Sequence, residues 1–93
     1  MYRVELASAA LRDLQRLRGD DLERVSETLV GLGGDPRPKG KHVKAIQGTR
    51  VRFLRYRVGD LRIVYDVRDE AKAVIVHGIV RRKDLDRWLR RRR

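Results

Sequence analysis

The chain has 93 residues, with 24 lysines and arginines against 13 aspartates and glutamates, a formal net charge of +11. That length suits a single domain spanning 1–93 around one modest core, and a charge surplus of this size points to a polyanionic partner. The absence of cysteine excludes disulfides, thiolate metal sites and cysteine nucleophiles; no apolar run approaches the roughly 20 residues of a membrane span, and the charged opening MYRVELASAA lacks a signal peptide's apolar stretch, so a soluble, cytoplasmic protein is expected.

In chain order, residues 2–6 read as a strand, with Tyr2, Val4 and Leu6 alternating against Arg3 and Glu5. Ser8 is the expected N-cap of a first helix, whose Leu11, Leu14 and Leu17 recur at helical spacing until Gly19. Asp20 caps a second, carrying Leu22, Val25, Leu29 and Leu32 and stopped by Gly33, Gly34 and Pro36. Residues 35–49, broken by prolines and glycines, read as a loop. Three strands follow at about 50–58, 61–67 and 72–80, and a basic helix with Leu85, Trp88 and Leu89 closes the chain over 82–92. The expected fold class is α+β: an N-terminal strand, a helical hairpin packed on a mostly antiparallel four-stranded sheet, and a basic C-terminal helix.

The charge is unevenly placed. Residues 1–35 carry five basic and seven acidic side chains, a net of −2; residues 36–62 carry nine and one, a net of +8; residues 63–80 carry two and three, a net of −1; residues 81–93 carry eight and two, a net of +6. Within the central block, RVGDLRIVYDV (57–67) sets Arg62 in an otherwise apolar strand. Alternation sends Leu61, Ile63, Tyr65 and Val67 one way and Arg62, Val64 and Asp66 the other. Arg55 and Arg57 fall on one face of the preceding strand. If the helices cover one face, Arg55, Arg57 and Arg62 line the other as an open groove. Arg62 is then solvent-facing, and its removal should barely change stability. Arg81 and Arg82 reach the same surface, and the loop bearing Lys39, Lys41 and Lys44 rims it. Guanidinium forks fit phosphate oxygens at two points; the competing expectation is a solvated face balanced by Asp66 and Asp84.

No paired carboxylates, Ser-His-Asp set or HExxH spacing is present, and neither a metal nor a cofactor is expected. RNA cleavage needs none of these. The ribose 2′-OH can attack its own phosphate when the geometry is held in line and cations stabilise the developing charge. Of the two imidazoles, His77 on the last strand reads as structural, and His42 in the basic loop as at most a contact to the nucleic-acid backbone.

At these residues the chain resembles the RelE/ParE superfamily of toxins from toxin–antitoxin systems. The resemblance covers nearly its whole length: the helical hairpin, the DPRPKGKHVKAIQG loop, LRYRVGDLRIVYDV and the basic ending VRRKDLDRWL. It implies a single RelE-like toxin domain that cuts ribosome-bound mRNA without a metal, leaving a 2′,3′-cyclic phosphate and a 5′-OH. Carried across, the catalytic positions are Arg55, Arg62 and Arg82. RNA-binding positions are Lys39, Lys41, Lys44, Arg57, Arg81, Arg87 and Trp88, the last through stacking on a base or, equally, as the anchor of the last helix. The implied partners are the ribosome, mRNA and a cognate acidic antitoxin in a hetero-oligomer, with no membrane. Two positions depart from the RelE pattern. Phe53 stands where a lysine is usual, and Asp86 or Trp88 where a C-terminal tyrosine is usual, so the general base is unassigned. The alternative is the ParE branch, a non-nuclease that inhibits DNA gyrase by protein binding.

Overall fold

A computed structural model describes residues 1–92. Strand β1 (Arg3–Leu6) leads into helices α1 (Ser8–Arg16) and α2 (Gly19–Gly34). Strands β2 (Val43–Ala45), β3 (Leu54–Val58), β4 (Leu61–Arg68) and β5 (Ala73–Arg81) follow, and a 3-10 turn over Arg82–Asp84 runs into α3 (Leu85–Arg90). The sheet order is β1-β5-β4-β3-β2, with β1 parallel to β5 and every other pair antiparallel. The expected α+β architecture is present with one strand more than expected. β2 forms inside the stretch read as loop, because its three residues have the free edge of β3 to pair with. Among the described residues, no helix is long and apolar enough to cross a membrane.

Neither helix start uses its expected cap. Ala7 and Arg18 take the cap positions, and no side chain bonds there. Asp20 and Asp21 instead sit in the first turn of α2, where a carboxylate favours the positive end of the helix dipole. The hairpin buries Ala10, Leu17, Val25, Leu29 and Leu32 against Leu61, Ile63, Tyr65, Val74, Val76 and Ile79 of the sheet.

The second sheet face is only partly open. A separate apolar cluster of Phe53, Val64, Trp88 and Leu89, flanked by Ile46, Val80 and Leu85, occupies one half of it. α3 reaches this position because Gly78 has no side chain: a Cβ there would lie 2.6 Å from the indole nitrogen of Trp88 and 2.8 Å from the adjacent ring carbon. The Trp88 ring therefore rests on the backbone of β5, edge-on to Phe53 at 5.6 Å between centroids.

Just before Gly78 the register of β4 and β5 slips. Val64 pairs with Gly78 but Tyr65 pairs with Val76, so His77 is an extra residue on β5, a bulge. The bulge inverts the alternation. The helix-side residues of β5 are Val74 and Val76 before it, then Ile79 and Arg81 after it, paired with Ile63 and Leu61.

The segment after α2 is pinned at two points. The Tyr65 hydroxyl donates to the Pro36 carbonyl at 2.9 Å, and burial holds that phenol above its ordinary pKa. Arg37 donates twice to Asp69, at 3.1 and 3.0 Å, and the Tyr2 hydroxyl donates to the same carboxylate at 2.6 Å. The Arg37 bond first, then the Tyr2 bond, pull the Asp69 pKa down to about 2.

Two outcomes are expected. Gly78→Ala overpacks the Trp88 seat and should cost about 1–3 kcal/mol, seen as a Tm drop of several degrees; an unchanged Tm would mean that α3 is not held this way. Because the folded pKa of Asp69 is depressed, its contribution is present above the ordinary carboxylate range and is lost as pH falls through about 2. Denaturation midpoints of wild type and Asp69→Asn should therefore differ at neutral pH and converge between about pH 4 and 2.

Candidate functional site: an arginine-lined cleft

The uncovered half of the second face is built by strand pairing. Lys44 pairs with Arg55 and Arg57 with Arg62, and partners directly opposite in a ladder share a face. The β3–β4 hairpin turns at Gly59, whose φ of +57° suits glycine. Arg82 follows β5 directly, and its N–H donates to the Asp60 carbonyl at 2.8 Å, which holds the start of the 3-10 turn against that hairpin.

These elements enclose two adjoining hollows. One is lined by His42, Arg57, Gly59, Asp60, Arg62 and Arg82. The other is lined by Lys41, Lys44, Arg55, Arg57, Arg62, Arg82 and Leu85. Arg57, Arg62 and Arg82 belong to both.

Arg62 is the floor, and there the structure corrects the expectation of an open, solvent-facing side chain. It is only 7% exposed. One terminal nitrogen donates to the Gly59 carbonyl at 3.0 Å and the Leu61 carbonyl at 2.9 Å. No buried side-chain donor lacks a partner among the described residues, so the remaining nitrogens of Arg62 reach the cleft. Burial first, then the charges of Arg55, Arg82 and Arg57, push its pKa below the guanidinium value, opposed by Asp60. A guanidinium starts far enough above neutrality to stay charged. The outcome is a cation with fixed orientation and incomplete solvation.

The acids that were to balance this face are engaged elsewhere. Asp66 is bound by Arg68 and by His77, Asp84 by Arg87 at 2.9 Å, and Asp60 lies 3.8 Å from Arg81. Among the described residues, Lys41, Lys44, Arg55, Arg57, Arg62 and Arg82 have no carboxylate partner within 4.0 Å. Six cations around two adjoining hollows, none paired with a carboxylate, outnumber the single Asp60 at the rim and form a site for an anion of extended shape.

The structure gathers Arg55, Arg62, Arg82, Arg57, Lys41 and Lys44 at this cleft, but four expected RNA-binding residues lie outside it. Arg81 is turned to the helix side by the bulge and bonds Asp21 of α2 at 3.1 Å. Arg87 pairs with Asp84 and lines a different hollow, beside Asp13 and Arg16 of α1. Trp88 is 9% exposed, seated on Gly78 with the Arg92 guanidinium 3.7 Å from its ring centroid; its faces are occupied, so the base-stacking expectation gives way to the anchor role. Lys39 lines neither hollow. The glycine beside a histidine in an apolar strand was the available signal for the bulge that displaces Arg81. His42, expected to be at most a contact to the nucleic-acid backbone, is brought to the rim by the pinned loop and the β2–β3 pairing: its carbonyl accepts the Arg57 N–H at 2.8 Å. His77, bonded to Asp66 and edge-on to Phe53, lines neither hollow. No group of metal-ligating side chains occurs among the described residues.

The fold and cleft together define a small α+β protein with an uncompensated cationic site. The chain belongs to the ParE toxin family of type II toxin–antitoxin systems, whose family model matches residues 4–86. It is also 30% identical over 83 residues, 88% of this chain and 91% of the other, to a Methanocaldococcus jannaschii protein carrying the toxin name RelE1. Among solved structures it is similar to the RelE–RelB complex of Pyrococcus horikoshii, at 29% identity and a TM-score of 0.75, over 87% of this chain and 94% of that one. The RelBE2 toxin–antitoxin complex of Mycobacterium tuberculosis gives 25% identity and a TM-score of 0.73, over 86% and 96%. The chain is thus a RelE-like toxin of a toxin–antitoxin system.

Since Arg62 satisfies two turn carbonyls, Arg62→Ala should cost about 1–3 kcal/mol of stability, whereas Arg55→Ala should stay within about 0.5 kcal/mol. Urea denaturation of the two variants checks this; equal, negligible losses would remove Arg62 from its structural role.

Proposed function

We propose that the chain is an endoribonuclease that cuts ribosome-bound mRNA, inhibiting translation, with residues 1–93 acting as one toxin domain. The observation that carries this is the set of six unpaired cations around a cleft whose floor, Arg62, is held rigidly by backbone carbonyls. A metal-independent route is open to RNA. O2′ attacks the adjacent phosphorus, the P–O5′ bond breaks, a 2′,3′-cyclic phosphate forms, and O5′ leaves with a proton as a 5′-OH. The charge that grows on the phosphorane oxygens needs donors already in place. Arg62 supplies them without reorganising, with Arg55 and Arg82 flanking it. Arg57, Lys41 and Lys44 bind the RNA around it. The resemblance to RelE toxins supplies the ribosome as the setting.

An acidic antitoxin fits the same charge logic. The similar P. horikoshii and M. tuberculosis chains are seen in complexes with RelB or as RelBE2. A carboxylate-bearing segment that pairs with Arg55, Arg62 and Arg82 would neutralise the cleft in a toxin–antitoxin hetero-oligomer.

Primer extension on mRNA with ribosomes should show cuts within codons, and Arg62→Ala should slow cutting by about a hundredfold. No cuts by the wild type would end the nuclease reading. The ParE name of the matched family keeps a second reading, inhibition of DNA gyrase by protein binding. A supercoiling assay separates the two: a gyrase inhibitor stops supercoiling or traps cleaved DNA, and an mRNA cutter does neither. Affinity for RNA should also fall with salt by about 0.7–0.9 log units per phosphate contact per decade. Replacing Lys41 and Lys44 with alanine should flatten that slope, and Lys39→Ala, outside the cleft, should leave it nearly unchanged.

A further inference from the structure

The nuclease reading leaves one proton without a carrier, and the inference below rests on that reading. In-line displacement places the attacking O2′ and the leaving O5′ on opposite sides of the phosphorus. The two hollows share Arg57, Arg62 and Arg82 and differ in the rest of their lining, so a phosphate held by the shared arginines borders both. Their chemistry differs. The Lys41–Lys44 side, with Arg55, offers ammonium and guanidinium groups only; these donate and cannot accept. That side suits the leaving O5′, which gains negative charge and needs donors. The other side holds His42, whose neutral imidazole carries an acceptor nitrogen.

We propose that the His42 imidazole is the base that takes the 2′-OH proton. The O2′–H bond of the nucleotide whose O3′ carries the scissile phosphate breaks toward the imidazole, O2′ bonds to phosphorus as the P–O5′ bond breaks, and O5′ departs with a proton from Lys41 or Lys44, which regains one from solvent. The imidazolium returns its proton to solvent. Three features hold His42 in position: its carbonyl accepts the Arg57 N–H at 2.8 Å, the following residue Val43 pairs with Tyr56, and its ring lies parallel to that of Tyr56, 8° apart and 6.3 Å between centroids. Tyr56 and Arg57 of β3, Asp60 of the hairpin turn, Arg62 of β4 and Arg82 are the titratable or charged groups around it. Asp60 is the other acceptor in that hollow, but its carboxylate is directed toward Arg81, 3.8 Å away on the helix side. His77 is occupied by Asp66.

The test is the pH–rate profile of mRNA cutting by wild type, His42→Ala and Asp60→Asn, each with a melting curve, on a normal substrate and on one with sulfur replacing the bridging 5′-oxygen. A thiolate leaves without protonation, so the sulfur substrate still needs the base but not the acid. The expected result is a loss of about a hundredfold or more for His42→Ala, together with the acid limb of the profile. The defect should persist on the sulfur substrate, and Asp60→Asn should keep the limb. Cutting by His42→Ala at the wild-type rate and with the wild-type profile overturns the assignment alone. Rescue of His42→Ala by the sulfur substrate overturns it too, since His42 would then serve the leaving group. Absence of cutting by the wild type overturns the nuclease reading and this proposal with it.

Discussion

The seat of Trp88 on Gly78 divides the second face of the sheet. Without a Cβ on β5, the indole lies directly on the strand, and Phe53, Val64 and Leu89 close around it. Half of that face becomes a second, smaller core; the other half, from Arg55 to the β3–β4 turn, stays uncovered. α3 thus caps one end of the sheet and fixes the path from β5 into Arg82, whose N–H is tied to the Asp60 carbonyl. A bulkier residue at 78 would lift the helix, open the apolar cluster and move Arg82 together. Packing and site geometry are one constraint here, since both depend on where α3 lies.

Electrostatics impose a cost that the fold meets locally. Arg62 sits among Arg55, Arg57 and Arg82, and burial as well as repulsion disfavours its charge. Carbonyls at Gly59 and Leu61 offset part of this by accepting from one end of the guanidinium, leaving the other end unsatisfied by protein. Acids that might have relieved the cluster are drawn to other arginines: Asp21 to Arg81, Asp84 to Arg87 and Asp66 to Arg68. The cleft therefore keeps its field for an external anion, at some expense in stability of the empty protein. The loop that carries Lys41 and His42 is anchored upstream by the Arg37–Asp69 and Tyr65–Pro36 bonds. Its rim position comes from these contacts and from the short β2 pairing rather than from any local propensity.

Much of this was legible in the sequence, for physical reasons. Leucine and valine spacing revealed both helices of the hairpin, and alternation through RVGDLRIVYDV placed Arg62 on the face opposite Leu61, Ile63 and Tyr65. Charge counting found the central basic block that supplies most of the cleft. What remained hidden was non-local. A bulge is a property of two strands together, so the expectation that Arg81 reaches the cleft surface could not foresee the turn to the helix side. The burial of Arg62 depends on elements that close around it, and the three-residue β2 exists only because β3 offers an edge. Trp88 was equally compatible with stacking and anchoring until Gly78 showed what lies beneath it.

The two departures from the RelE pattern prove to be a single feature. Phe53, in place of a lysine, and Trp88, near the position of a tyrosine, contact each other edge-on at 5.6 Å within one apolar cluster. These rings hold α3 down, and the one imidazole beside them, His77, is engaged by Asp66. The arginines that remain stabilise charge but accept no proton. Under the proposed nuclease activity, proton transfer then falls to the far rim of the cleft or to an RNA-bearing partner. Within the chain, the far rim is the segment carrying Lys41, His42 and Lys44. If the cleft works as proposed, its donor-only floor requires an acceptor, and the hollow that His42 lines is the one that holds an imidazole.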